Sequence, residues 1–195
     1  MINNERIKKA EKDFQEYIGS GQVVTKHKEI AQYVHFFLKN AETSVLTAQT
    51  LLEISESTEK KSSIGVDEKF ESFLWVTVSS YYSMFYAALA LFARHGIKVG
   101  DQSKHKVVAD TLISQFIANR RLAKLLDDYE ETKATALGII GTEEKAKELV
   151  ENFDLERRKR SSLQYDLGVE AKQNLARTSL ARARAFIAEI RAIVK

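Results

Sequence analysis

The stretch that decides the fold is Phe70 to His95, FESFLWVTVSSYYSMFYAALALFARH. Between Ser72 and Ala93 it holds no charged residue, and Phe73, Leu74, Val76, Val78, Tyr81, Phe85, Ala88, Leu89 and Phe92 leave no clearly solvated side. A helix that is apolar all round is buried, either in a protein core or in a bilayer. The run is long enough for a membrane span. Its middle carries Thr77, Ser79, Ser80, Tyr81, Tyr82 and Ser83, and such hydroxyls suit close packing inside a protein better than hydrocarbon. The expectation is a central buried helix, with no membrane partner, around which the rest of the chain wraps.

The remainder is suited to wrapping it. The 195 residues are 44% hydrophobic and 29% charged, the balance of a globular protein rather than of a disordered chain. There is no cysteine, which excludes disulfides, thiol nucleophiles and thiolate zinc sites. The net charge of +3 does not itself demand a nucleic-acid partner, so the distribution of charge matters more than its total. The opening MINNERIKKAEKDF lacks the apolar core of a secretory signal, and a cytoplasmic protein is expected.

Proline is absent, and the eight glycines fall between periodic stretches. Glycine disfavours helix interiors by about 1 kcal/mol relative to alanine but tolerates the left-handed conformation that ends helices, so the glycines mark joints. Residues 2 to 18 predict a charged amphipathic helix. A second helix, Lys28 to Ser57, carries the stripe Val34, Phe37, Leu38, Ala41, Val45, Ala48 and Leu52. SESTEKKSSIGVDE, at 55 to 68, reads as a polar connection. After Gly96, Asp101 or Ser103 is the expected cap of a helix through Val107, Leu112 and Ile117, continued by the segment 120 to 138. Thr142 opens another, DLERRKRSSLQYDLG breaks the periodicity, and a last helix runs from Val169 to Val194 with the stripe Ala176, Leu180, Ala183, Ile187, Ile190 and Val194. VVT at Val23 is too short for a strand. The fold class predicted is all-α, an antiparallel helical bundle.

An ordered set of features resembles the HEPN family, a nucleotide-binding domain of higher eukaryotes and prokaryotes, and its small prokaryotic members in particular. The features are AQYVHFFLKNAETSVLTAQTLLE, then YYSMFYAALALF at Tyr81 to Phe92, then Gly96, then Ser103-Lys104-His105-Lys106, and finally the basic segment from Arg157 to Tyr165-Asp166. The resemblance implies a four- or five-helix core within 21–195, with residues 1–20 as an N-terminal helical extension and an insertion around 120–150. It further implies a homodimer with a site near the basic motif, and a binding or regulatory role in a toxin–antitoxin or nucleotidyltransferase-linked system that contacts nucleotide or RNA. In the family's active nucleases a histidine follows the arginine a few residues on. Here Ser161 to Asp166 contain none, which argues against strong nuclease activity because that chemistry needs a positioned acid or base.

The candidate site residues are Arg158, Arg160, Tyr165 and His105. The basic run Arg157 to Arg160, with Arg177, Arg182 and Arg184, suits phosphate, because guanidinium forks pair with phosphate oxygens. Its plain alternative is a solvated charged face. If the periodicity breaks there, Arg158, Arg160 and Tyr165 line one surface at a helix junction. Tyr165 either meets ligand or buries its ring, and His105 either acts near neutral pH or packs at a helix start. His27, His35 and His95 have no metal-ligand spacing, and there is no glycine-rich phosphate loop; neither metal nor cofactor is expected. Two further readings remain open: an RNA-cleaving enzyme in which Arg158 or Arg160, Tyr165 and His105 replace the usual pair, and a purely structural helical partner.

Overall fold

The computed structural model describes residues 2–118, 120–123, 139–165 and 172–194. Its axis is the helix α4 (Phe73–Arg94), and the fold is an all-α bundle built round it. From Val76 to Ala93 every residue of α4 is buried except Ser79, Tyr82 and Tyr86. With Trp75 these follow helical spacing, so the central helix has one stripe that is not enclosed, and tyrosines occupy it. α4 is also the described helix long and apolar enough to cross a bilayer, and most of it is buried inside the bundle.

Preceding it in the chain are α1 (Asn4–Gly19), α2 (Val34–Glu56), entered through a 3-10 turn at Ile30–Tyr33, and α3 (Thr58–Ser63). The Asn3 side chain caps α1 by accepting from the Arg6 amide at 2.9 Å. α3 lies within the stretch expected to be a plain connection, and Ser57 starts it by accepting from the Lys60 amide. α2 packs along α4 through Ala41, Ala48 and Leu52.

After α4 come α5 (Lys104–Leu112), which continues as a π-helical segment at Ile113–Ala118, then α6 (Ile139–Tyr165) and α7 (Gln173–Val194). All six residues of the predicted α7 stripe are buried, and α7 packs on both α4 and α2. Ser103 does cap α5, but in a left-handed conformation (φ 49°) and without a side-chain bond. Val23–Val24 pairs antiparallel with Lys98–Val99, a two-residue bridge that joins the loops after α1 and after α4. Gly96 makes the turn beneath it in the left-handed region (φ 70°), a conformation side chains rarely adopt.

The largest departure from the sequence reading is α6. It runs unbroken through Arg157 to Tyr165 and includes Gly141, so the basic run is helix rather than junction. Arginine, lysine, glutamine and leucine are good helix formers, and the lost periodicity marks a change of surroundings along one helix. The expected continuation over 120 to 138 is outside the described residues after 123, as are Asp166 and Gly168.

Candidate functional site

α6 separates the arginines by phase. At 3.6 residues per turn, positions two apart point about 200° away from each other. Arg160 turns inward to α4: its Nη2 donates to the Tyr82 hydroxyl at 3.1 Å, and its guanidinium lies 6.0 and 5.6 Å from the Tyr81 and Tyr82 ring centres, within cation–π range. Arg158 turns outward, with 61% of its side chain exposed, and pairs with Asp154 at 3.2 Å. Arg157 binds the same carboxylate, donating through Nε and Nη2 at 3.0 Å each.

His105 reaches the same tyrosines from the first turn of α5. Its ring centre is 4.8 Å from Phe85, 5.5 Å from Tyr81 and 5.6 Å from Tyr82, and Nδ1 is 2.8 Å from the Tyr81 hydroxyl. Tyr81 is fully buried and its O–H must find an acceptor, so it donates to Nδ1, and the His105 tautomer carries its proton on Nε2. Burial holds the Tyr81 hydroxyl far above the usual tyrosine range, against the opposing pull of Arg157 and Arg160. Burial also pushes His105 down to about 4, reinforced by Arg160, Arg157 and Lys104.

The result is a half-buried junction of α4, α5 and α6 in which a neutral imidazole, two phenols and the Arg160 guanidinium meet over an aromatic floor. Its donors suit an anion. As an acid–base catalyst His105 is poorly placed, because its pKa is far from neutrality and Nδ1 is occupied.

Of the four residues expected to matter, the structure brings Arg160 and His105 together and leaves Arg158 on another face. Tyr165 ends α6, and its side chain is outside the described set. Arg177 and Arg182 are tied to Glu56 at 2.6 Å and Glu156 at 2.9 Å. Glu156 is fully buried, and with Lys159, which donates to the Ser179 hydroxyl at 2.9 Å, it joins α6 to α7, whereas Arg177 ties α7 to α2. Tyr82 was not among the expected site residues; its signal in the sequence is the spacing of Trp75, Ser79, Tyr82 and Tyr86, whose polar-tipped side chains fall on one helical stripe. No cluster of three or more metal-ligating side chains occurs among the described residues.

Compared with models of known families, with curated proteins and with solved structures, the chain has no match in any of the three.

Proposed function

We propose that this is a HEPN-type helical protein whose α4–α5–α6 junction binds a phosphate group of RNA or a nucleotide, in a regulatory role alongside a partner such as a small nucleotidyltransferase. The observation that carries this reading is the convergence of His105 and Arg160, distant in sequence, on Tyr81 and Tyr82. Arginine supplies charge and a fork for phosphate oxygens, and imidazole Nε2–H a second donor. The same reading makes the protein a homodimer. It is supported by Leu46, 61% exposed on α2, beside a cavity of 530 Å³ that α2 forms with α7.

The test is anisotropy of a short labelled single-stranded RNA, with ATP as competitor. Arg160→Ala should weaken binding by about tenfold, the loss expected for one charge-assisted contact. Equal binding by wild type and Arg160→Ala rejects the site.

Metal-independent RNA cleavage is the second reading: an arginine and a histidine share one tyrosine pair, but the lowered pKa and occupied Nδ1 of His105 rank it below binding. Cleavage in EDTA that His105→Ala abolishes would select it over binding alone. Light scattering checks the dimer against the 22.1 kDa chain mass.

A further inference from the structure

A separate cavity of 420 Å³ opens between the loop before α2 and the loop after α4. Leu89 and Ile97, both buried, are among its lining residues. Tyr33, Phe36 and Phe37 line it on one side as a contiguous aromatic group, with ring centres 6.5 Å apart for Tyr33 and Phe37 and 5.6 Å for Phe36 and Phe37. Tyr33 and Phe36 are nonetheless 47% and 55% exposed. The size is that of a small-molecule site, and large rings left half in water are what a planar ligand would cover.

Polar groups complete the lining. His27 contributes to it, and its Nδ1 is buried with no hydrogen-bond partner among the described residues. Lys98 and Lys104 also line the cavity. Lys104 donates to Asp101 at 2.9 Å, although that carboxylate is 97% exposed. Lys104, and Lys98 more weakly, hold the Asp101 carboxyl below its ordinary range. A solvent-facing carboxylate therefore occupies the place where an anion is attracted, and it can swing into water at little cost. Glu29, the other acid in the lining, is exposed. The backbone around the cavity is fixed: the His27 amide donates to the Gly96 carbonyl at 2.9 Å, and the Gly100 amide to Gln22 at 2.7 Å.

We propose that this cavity is a binding site for a small aromatic carboxylate, its ring against Tyr33, Phe36 and Phe37 and its anionic group drawn to Lys98 and Lys104. The site goes beyond the phosphate-binding reading and does not depend on it.

The experiment titrates the full chain with 1-naphthoate by calorimetry and follows the amides of Ile97 and Gly100 by NMR. One molecule should bind per chain, and 1-naphthamide, the neutral analogue, should bind about tenfold more weakly, the equivalent of one charge-assisted contact. Phe36→Ala and Lys98→Ala should each cost a similar factor. Asp101→Asn, which removes the resident competitor, should tighten binding severalfold. All three positions are exposed, so the fold tolerates the changes, and Trp75→Ala on α4, 54% exposed, is the control that leaves affinity unchanged. Absence of saturable binding overturns the site. So does naphthoate binding that is insensitive to both Phe36→Ala and Lys98→Ala. Equal affinity for naphthoate and naphthamide overturns the assignment of an anionic ligand.

Discussion

Besides its apolar face, α5 meets its neighbours through the buried Asp110 and the half-buried His105. Asp110, with 1% of its side chain exposed, accepts from Arg6 at 2.6 Å and from the Tyr17 hydroxyl at 2.7 Å, both on α1. Lys106 lies 3.4 Å from it and also reaches Asp13 and Tyr17. His105 faces the opposite case: a neutral ring among rings, with arginines at its edge. Burying a carboxylate among donors satisfies them and docks a helix. Burying an uncharged imidazole adds no negative charge to the centre, and the nearest carboxylate, Asp154, is held by Arg157 and Arg158. One region therefore reads as architecture and the other as a site, although both bring tyrosine and arginine from other helices onto α5.

The largest test of that contrast is Phe85→Ala. Phe85 is 4% exposed and forms the closest wall of His105, and aromatic truncation in a core costs about 3–5 kcal/mol. Urea unfolding measures the destabilisation, and a change below about 1 kcal/mol would mean the junction does not rest on the core. Asp110→Ala comes next, at about 2–3 kcal/mol, beneath the usual cost of breaking a buried pair because the abandoned cations reach water; Arg6 and Lys106 are 25% and 55% exposed. It should free α1 and leave RNA affinity unchanged. A loss of RNA binding equal to that of Arg160→Ala would dissolve the distinction between the regions.

Much of this was legible beforehand. Spacing located α1 and α7 to within about four residues of their ends and α2 apart from its start, expected at Lys28 but occupied by a 3-10 turn before Val34, and the uncharged run located α4. α6 was misread because its inward positions include Glu156 and Arg160, which are polar yet buried or half-buried; periodicity counts apolar residues and sees a break where ion pairs take over. Once the segment is helix, the opposite directions of Arg158 and Arg160 follow from phase alone. Asp110 carried a signal that was passed over, an acid set within the apolar run Val107 to Ile113. The contact of His105 with Tyr81 joins α5 to α4 through space, and no local pattern encodes it.

Acid should dismantle the two regions in sequence. His105 is lowered from 6.5 to about 4 by burial and by Arg160, Arg157 and Lys104. His95, lowered by burial and by Arg121 and Arg94, also reaches about 4, and its Nδ1 accepts from Arg121 at 2.6 Å. Stability is full above the unfolded histidine value. Below it the unfolded chain takes up protons that the folded chain refuses, so stability falls with pH down to about 4. The two half-buried rings together should cost about 2–4 kcal/mol, discounted for solvent screening. Asp13 behaves differently, because its hydrogen bond from Lys106 lowers it from 3.8. Its contribution is present above that value and disappears only as pH falls through the lower folded one. Urea midpoints across this range should show a histidine-controlled decline first, and His105→Phe should remove part of it. A flat profile between neutrality and pH 5 rejects the buried-neutral assignment.

The smallest effect expected is that of Arg158→Ala, and it is the sharpest test of whether the basic run is a site or a diffuse surface. Its side chain is 61% exposed and its ion pair is at the surface, so stability should change by less than about 0.5 kcal/mol. The discriminating quantity is the salt dependence of RNA binding, because each single-strand phosphate that the protein ceases to neutralise lowers the log–log slope by about 0.7. Arg160→Ala should lower it by that amount, whereas Arg158→Ala, turned to the other side of α6 and held by Asp154, should leave it nearly unchanged. Asp154→Asn releases Arg157 and Arg158 together and should steepen the slope if either can then reach phosphate. Equal slope changes for the two arginines would mean that the run acts by charge alone, and the convergence on Tyr81 and Tyr82 would then be packing rather than recognition.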